Sequence, residues 1–416
     1  MEAETKYHLD FESAAERLKN VTRRTPLEFN QGLSDRYDCE IYLKREDLQV
    51  VRSYKLRGAY NMISQLDEDQ LRRGVVCASA GNHAQGVAYS CKKVGTRGVI
   101  FMPEPTPKQK VKQTRMFGNG HIEIVLVGDT FDDCLREALA YTASHNMTFI
   151  PPFDNERIVE GQGTVGVEIY EDLPDAEVVI MPIGGGGLAA GAGTYLKQQN
   201  PNIILVGVEP EGAPSMFKAL TAGEPITLPK VNRFVDGASV KRVGELTFGL
   251  CQNILNDMLL VPEGKICTTI LKLYNEDAIV VEPAGAMSVA VLDMYKEQIK
   301  GKKVVCVVSG GNNDIDRMQD IKEQSLLYEG LKHYFIVRFP QRPGALKLFV
   351  SEVLGPGDDI TRFEFIKKTE RENGPALVGI ELTSADDYPA LLQRMEKNRF
   401  EVIEINRDQT LFEYLV

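Results

Sequence analysis

Three stretches of the sequence place chemically versatile groups where a loop gives way to a helix. In SYKLRGAYNMI, Lys55 stands at the opening of a helical pattern, two residues before Arg57. A solitary lysine is ordinarily a solvated surface charge, so its meaning depends on its company. In VVCASAGNHAQGVAYSCKKVG, an apolar strand ends at Ser79-Ala80-Gly81-Asn82 and a helix follows. Asn82 is a natural helix N-cap. The alternative is that the amides of Ser79, Ala80, Gly81 and His83 receive a carboxylate, while the Asn82 amide reaches a phenolic oxygen on a cofactor. His83 taken alone reads as structural. In EVVIMPIGGGGLAAGAG, a strand runs into Gly184, Gly185, Gly186 and Gly187 and then a helix from Leu188. Four glycines let backbone N–H groups turn inward without obstruction, and the helix start favours an anion, which makes a phosphate cradle. The competing reading is a tight turn at a close strand-helix packing point.

Other chemistries lack their parts. The glycine run has no Lys-Ser/Thr ending, which disfavours a nucleoside triphosphate. A literal G-x-G-x-x-G at Gly161, Gly163 and Gly166 follows the polar DNERIVE instead of a strand, so a dinucleotide site and an NAD-linked dehydrogenase are disfavoured. The seven cysteines are scattered singly, without C-x-x-C pairs, and read as reduced and buried. Neither they nor the five histidines cluster as metal ligands would, and no metal site is expected. A lysine beside a phosphate cradle and a carboxylate loop is instead the kit of a Schiff-base enzyme.

The elements that must hold these loops follow a rhythm from about residue 40 to 310. Short apolar runs such as VVCAS, RGVIFMP, IEIVLVG, EVVIMPIG, IILVGVEP and KKVVCVVSGG alternate with turns and helical patterns. Runs without polar alternation suit strands covered on both faces, hence mainly parallel sheets in an α/β fold, with ligands at the carboxyl ends of strands. Beyond about Gln324 the order becomes strand, helix, strand, strand, helix, strand, the ferredoxin-like βαββαβ plan. The turn Glu372-Asn373-Gly374 reads as the hairpin between its central strands. The expected division is 1–325 as a catalytic region, with a small domain at about 51–150 inserted in a larger one, and 326–416 as a separate unit. The net charge of −11, without a basic block, argues against nucleic acid. No apolar run reaches membrane-spanning length and the start lacks a signal-peptide core, so a cytoplasmic protein is expected.

The segments SYKLRGAY, SAGNHAQG, GGGGLAAG and SGGNND, in that order, resemble the pyridoxal-phosphate (PLP) dependent threonine dehydratases of the tryptophan-synthase-β fold type (fold type II) over about residues 10–320. The C-terminal βαββαβ segment, with RFPQRPGAL, is similar to their ACT-like regulatory domain, present here once, as in a short form. The resemblance implies that Lys55 is the Schiff-base lysine and Asn82 the partner of the PLP 3′-oxygen. It makes Gly184 through Leu188 the phosphate loop and Ser309 the partner of the pyridine nitrogen. It implies β-elimination of L-threonine to 2-oxobutanoate and ammonia at the head of isoleucine biosynthesis, with side activity on serine. It further implies a homotetramer and a branched-chain effector, isoleucine or valine. The turn Gln341-Arg342-Pro343-Gly344 would take the effector carboxylate, and Leu346 and Phe349 would face its side chain. Relatives often bind a cation near VEPEGAPS; Ser215 stands where some carry Asp, so a divalent site at Glu209 and Ser215 is not expected. Serine dehydratase or racemase activity, and a non-catalytic amino-acid sensor, are the alternatives.

Overall fold

The computed structural model describes residues 8–366 and 372–416. The chain divides between Ile315 and Asp316 into two compact units. In the first, the strands in chain order are β1 (Leu27–Phe29), β2 (Glu40–Arg45), β3 (Val75–Ala78), β4 (Gly98–Met102), β5 (Ile122–Leu126), β6 (Thr148–Phe149), β7 (Val178–Pro182), β8 (Ile204–Pro210), β9 (Asp257–Val261) and β10 (Lys303–Val308). They form two sheets, ordered β1-β2-β10-β7-β8-β9 and β5-β4-β3-β6. All pairings are parallel except β1 with β2. Every residue of β3, β4 and β7 is buried, the two-sided covering that unbroken apolar runs require. All six strands read from sequence form.

The nominal dinucleotide fingerprint lies inside the helix Glu156–Asp172. Its glycines serve close packing. A Cβ on Gly161 would meet Arg57 O at 2.5 Å, one on Gly163 the Phe11 ring at 2.3 Å, and one on Gly166 Ala192 O at 2.6 Å. Three neighbouring helices, Phe11–Leu18, Lys55–Ile63 and Gly187–Gln199, can therefore approach this one closely. Two of them carry site loops at their N-termini, so the spacing positions chemistry.

A buried ion cluster fixes the Lys55 helix at its first turn. The Arg57 guanidinium donates to Glu46 Oε1 at 2.7 Å and Oε2 at 2.9 Å, and to Glu168 Oε1 at 2.7 Å. Lys44 Nζ donates to Glu168 Oε2 at 2.6 Å and to Thr25 O at 2.7 Å. Burial pushes the Glu168 carboxyl up, but Arg57 and Lys44 outweigh it and leave the pKa below the usual carboxylate range. The cluster therefore stabilises the fold above that range, and its contribution is lost as pH falls through the depressed value. Arg57→Met would leave Glu46 unpaired and Glu168 half-paired in the interior. It should cost about 3–5 kcal/mol of unfolding free energy in urea denaturation; a change under about 1 kcal/mol would show that the cluster is inconsequential.

The second unit contains β11 (Lys332–Pro340), β12 (Asp359–Phe365), β13 (Asn373–Glu381) and β14 (Glu401–Glu404), in the antiparallel order β12-β13-β11-β14. With the helices Ala345–Glu352 and Tyr388–Lys397 this is the expected βαββαβ plan, closed around Phe335, Phe339, Phe349, Val378 and Leu391. Three details depart from expectation. The unit begins ten residues before the expected 325/326 boundary, because the helix Met318–Tyr328 packs on β11, where the Tyr334 hydroxyl donates to Glu323. Asn373 and Gly374 belong to β13, opposite Pro340 and Phe339, and the connection that precedes them, 367–371, lies outside the described residues. A final helix, Gln409–Leu415, capped by Asp408, follows β14.

Candidate functional site

The carboxyl ends of β3, β7 and β10 open onto one cavity of about 880 Å3 between the two sheets of the first unit. It is lined by Lys55, by the β3 loop from Ser79 to His83, by Gly184 and Gly185 after β7, and by Ser309 after β10. Residues far apart in sequence thus share a site because parallel strands deliver their loops to the same edge.

Lys55 is the first residue of its helix, and that position is tied down from below. Tyr54 N–H donates to Ser309 O at 3.2 Å, and Ser53 bridges to Gly310. The Lys55 ammonium donates to Pro152 O at 2.8 Å. Burial lowers its pKa from 10.5 to about 8, against a partial opposing pull from the Glu282 carboxylate. An amine so placed is in large part neutral near pH 8, hence a usable base and nucleophile.

The β3 loop is more committed than the sequence suggested. Ser79 N–H completes the sheet by donating to Phe101 O, and Gly81 N–H donates to Ser79 Oγ, so neither amide is free for a ligand. Ala80, Asn82 and His83 keep amides without partners among the described residues, at the mouth of the helix Asn82–Val94. The N-cap is Gly81, not Asn82. The Asn82 side chain turns elsewhere: Nδ2 donates to Glu282 Oε1 at 2.6 Å, and Oδ1 accepts from Asn312 Nδ2 at 2.7 Å. His83 is buried, and its Nε2–H donates to Ile150 O at 2.9 Å, which leaves Nδ1 unprotonated. Burial, then the Lys55 charge, depress its pKa to about 3, so the imidazole stays neutral.

The glycine loop is a cradle that a side chain would fill. A Cβ on Gly185 would lie 2.1 Å from the Phe153 ring, one on Gly184 2.9 Å from Ala238 Cα, and Gly186 has φ +92°. The loop is held from behind by a device invisible to motif reading. The Asp154 carboxylate accepts the N–H groups of Glu245, Leu246 and Thr247 at the start of the helix Glu245–Ile254, and the Thr247 hydroxyl donates to Gly185 O at 2.6 Å. Gly186, Gly187 and Leu188 do not line the cavity; Gly187 and Leu188 open the helix Gly187–Gln199, with Leu188 in the core.

Glu282 and Asn312 also line the cavity and were missed in the sequence. Glu282 sits in IVVEPAGAM, an acid within an apolar run, and buried acids are rare without a purpose. That was its available signal. Glu209, buried, accepts from Met216 and Phe217 N–H at 2.7 and 2.9 Å, while the Ser215 hydroxyl donates to Val240 O. In the second unit the expected effector pocket needs correction. Phe349 is fully buried in the core and cannot face a ligand, whereas Leu346 is exposed.

These residues fit PLP. A phosphate needs a cradle free of Cβ atoms near helix-opening amides, and an aldehyde needs an amine that is not permanently protonated; both are present. Residues 18–310 match the pyridoxal-phosphate dependent enzymes, and the chain belongs to that family, in its fold type II. Residues 323–415 match the C-terminal regulatory domain of threonine dehydratase. The chain is 58% identical over 404 residues to the biosynthetic L-threonine dehydratase of Halalkalibacterium halodurans, covering 97% of each. It is 58% identical to that of Bacillus subtilis, covering 97% of this chain and 96% of that one. A solved structure of the processed form of threonine deaminase isoform 2 from Solanum lycopersicum is 40% identical and superposes with a TM-score of 0.73, covering 76% of this chain and 92% of that one. Within the PLP enzymes the chain is therefore a member of the biosynthetic threonine dehydratases. No described helix is long and apolar enough to cross a membrane.

Gly185→Ala should destabilise the protein by about 1–3 kcal/mol through the clash with Phe153, and adding Phe153→Leu should recover part of the loss. Thermal melting of the two variants checks this; equal melting of Gly185→Ala and the parent would mean that the loop is not closely packed.

Proposed function

We propose that this protein converts L-threonine to 2-oxobutanoate and ammonia at the head of isoleucine biosynthesis. The observation that carries this reading is the Lys55 amine, with its pKa lowered to about 8, at the meeting point of the three strand-end loops. Lys55, Asn82, Gly184, Gly185 and Ser309, which line the cavity, would hold the cofactor, with Gly186, Gly187 and Leu188 giving the loop its turn and helix start. Bound PLP supplies an electron sink for the pair left when a proton departs from the substrate Cα.

The chain's own residues do the rest. The free amides of Ala80, Asn82 and His83, at a helix start, hold the substrate carboxylate. That leaves Cα to Lys55, which takes its proton as a general base, its amine steadied by Pro152 O. Ser309 would offer the ring nitrogen a hydroxyl and no carboxylate, which would leave that nitrogen uncharged and favour elimination over transamination. His83, neutral throughout, adds no second charge beside the lysine. Overall the Cα proton and the β-hydroxyl would leave together as one water, and the released enamine would take up a water and expel ammonia to give the 2-oxo acid.

Rejecting serine for want of one methyl is worth only about 1–3 kcal/mol, so serine should react at a lower kcat/KM. The C-terminal unit carries no cysteine and no glycine run at a strand end among its described residues, and serves as a regulatory domain that binds a branched-chain amino acid. This reading includes a homotetramer in the cytoplasm.

Lys55→Ala should remove 2-oxo acid formation from threonine while leaving the melting temperature within a few degrees; retained turnover would exclude Lys55 as the base. In the cofactor-free protein, the rate at which Lys55 combines with pyridoxal phosphate should climb with pH and level off above about 8. A rate still climbing towards 10.5 would mean that burial does not tune this lysine. Isoleucine should change the threonine saturation curve of the full chain, and indifference to both isoleucine and valine would leave the second unit as an assembly element.

A further inference from the structure

We propose that Asn312 is a positioning residue that locks the Asn82 side-chain amide in one orientation, leaving a single Asn82 N–H for the cavity. The inference rests on the reading of Asn82 as a cofactor contact and adds the group that decides which end of its amide the cofactor meets.

A carboxamide is nearly symmetric in shape but not in charge, so it can rotate by half a turn and present oxygen where it had presented nitrogen. At Asn82 that rotation is blocked from both sides. Asn312 Nδ2 spends one hydrogen on Val51 O at 2.9 Å and the other on Asn82 Oδ1 at 2.7 Å. Asn82 Nδ2 in turn donates to Glu282 Oε1 at 2.6 Å. A rotated Asn82 would set its NH2 against the Asn312 NH2 and its oxygen against the Glu282 carboxylate, turning two attractions, one of them charge-assisted, into two repulsions. The orientation of Asn312 is itself fixed, because a backbone carbonyl such as Val51 O can only accept. Since the Asn82 NH2 has two hydrogens and Glu282 takes one, one remains for the cavity that Asn82 lines.

The glycines before Asn312 make this arrangement possible. A Cβ on Gly310 would lie 2.3 Å from Glu282 Oε1 and 3.3 Å from Asn82 Nδ2, and one on Gly311 2.7 Å from Val280 O. The same segment carries Ser309 and pairs with Ser53 and Tyr54. A short stretch after β10 thus aligns the lysine loop and the Asn82 amide together. Without Asn312, Glu282 alone would oppose the turn that sets the Asn82 oxygen towards the cofactor's phenolic oxygen, an acceptor against an acceptor.

The test is a double-mutant cycle on the full-length protein, stripped of cofactor and titrated with pyridoxal phosphate. Binding is read from the absorbance of the bound cofactor, and the band is followed against pH, because its titration reports the charge on the phenolic oxygen. Asn82→Ala and Asn312→Leu should each weaken binding roughly tenfold and move the band's titration in the same direction. The double variant should bind no more weakly than Asn82→Ala alone. Asn312→Ser is measured beside Asn312→Leu and carries the cycle if the leucine variant does not fold. The same loss of affinity from the Asn312 change with and without the Asn82 side chain would overturn the proposal, since Asn312 would then act through Val51. A weakened Asn82→Ala beside a silent Asn312 variant would overturn this inference alone. A silent Asn82→Ala would overturn the cofactor reading of Asn82 itself, and this proposal with it.

Discussion

The Arg57 guanidinium, buried between Glu46 and Glu168, is the contact on which the placement of the site depends. It joins the first turn of the Lys55 helix to the end of β2 and to the long helix Glu156–Asp172. Two cations and two anions share the interior, so each carboxylate has a counter-charge. The helix cannot slide or rotate without separating them, and burial makes separation expensive. Lys55, two residues away, inherits that rigidity. The glycines facing this helix bring the backbones close enough for the cluster to form, and the segment after β10 completes the alignment from the other side.

Much of this was legible in the residues, and the legible part has a physical explanation. Strands such as VVIMP and VVCVV announce themselves because both faces are covered, and four glycines at a strand end allow few uses. The misplaced G-x-G-x-x-G was correctly set aside as a nucleotide site, since polar DNERIVE does not form a strand, although its role as a helix-packing seam depends on partners distant in sequence.

What escaped notice was long-range. Nothing near Asp154 signals that it caps a helix some ninety residues onward, or that Thr247 would then hold Gly185. Asn82 and Asn312 follow two different strands, β3 and β10, while Glu282 precedes the helix Pro283–Ala290, and their hydrogen bonds exist only once the sheets have assembled. The N-cap reading of Asn82 failed for a related reason. A side chain that can cap its own helix will not do so when a buried carboxylate offers a stronger bond. Phe349 shows the same limit: helical spacing allowed it to face a ligand, and the aromatic packing around Phe339 and Phe400 took it inward.

The hydrogen bond from Lys55 to Pro152 O has one more implication. A base that must accept a proton and later surrender it passes through two charge states, and most neighbours prefer one of them. A carboxylate at that point would grip the ammonium and resist its loss; a second cation would do the reverse. A peptide carbonyl accepts from a protonated and a neutral amine alike. It holds the free amine on the same spot in either charge state and favours the ammonium far less than a carboxylate would, so burial is left to set most of the lysine's basicity while the hydrogen bond sets its position.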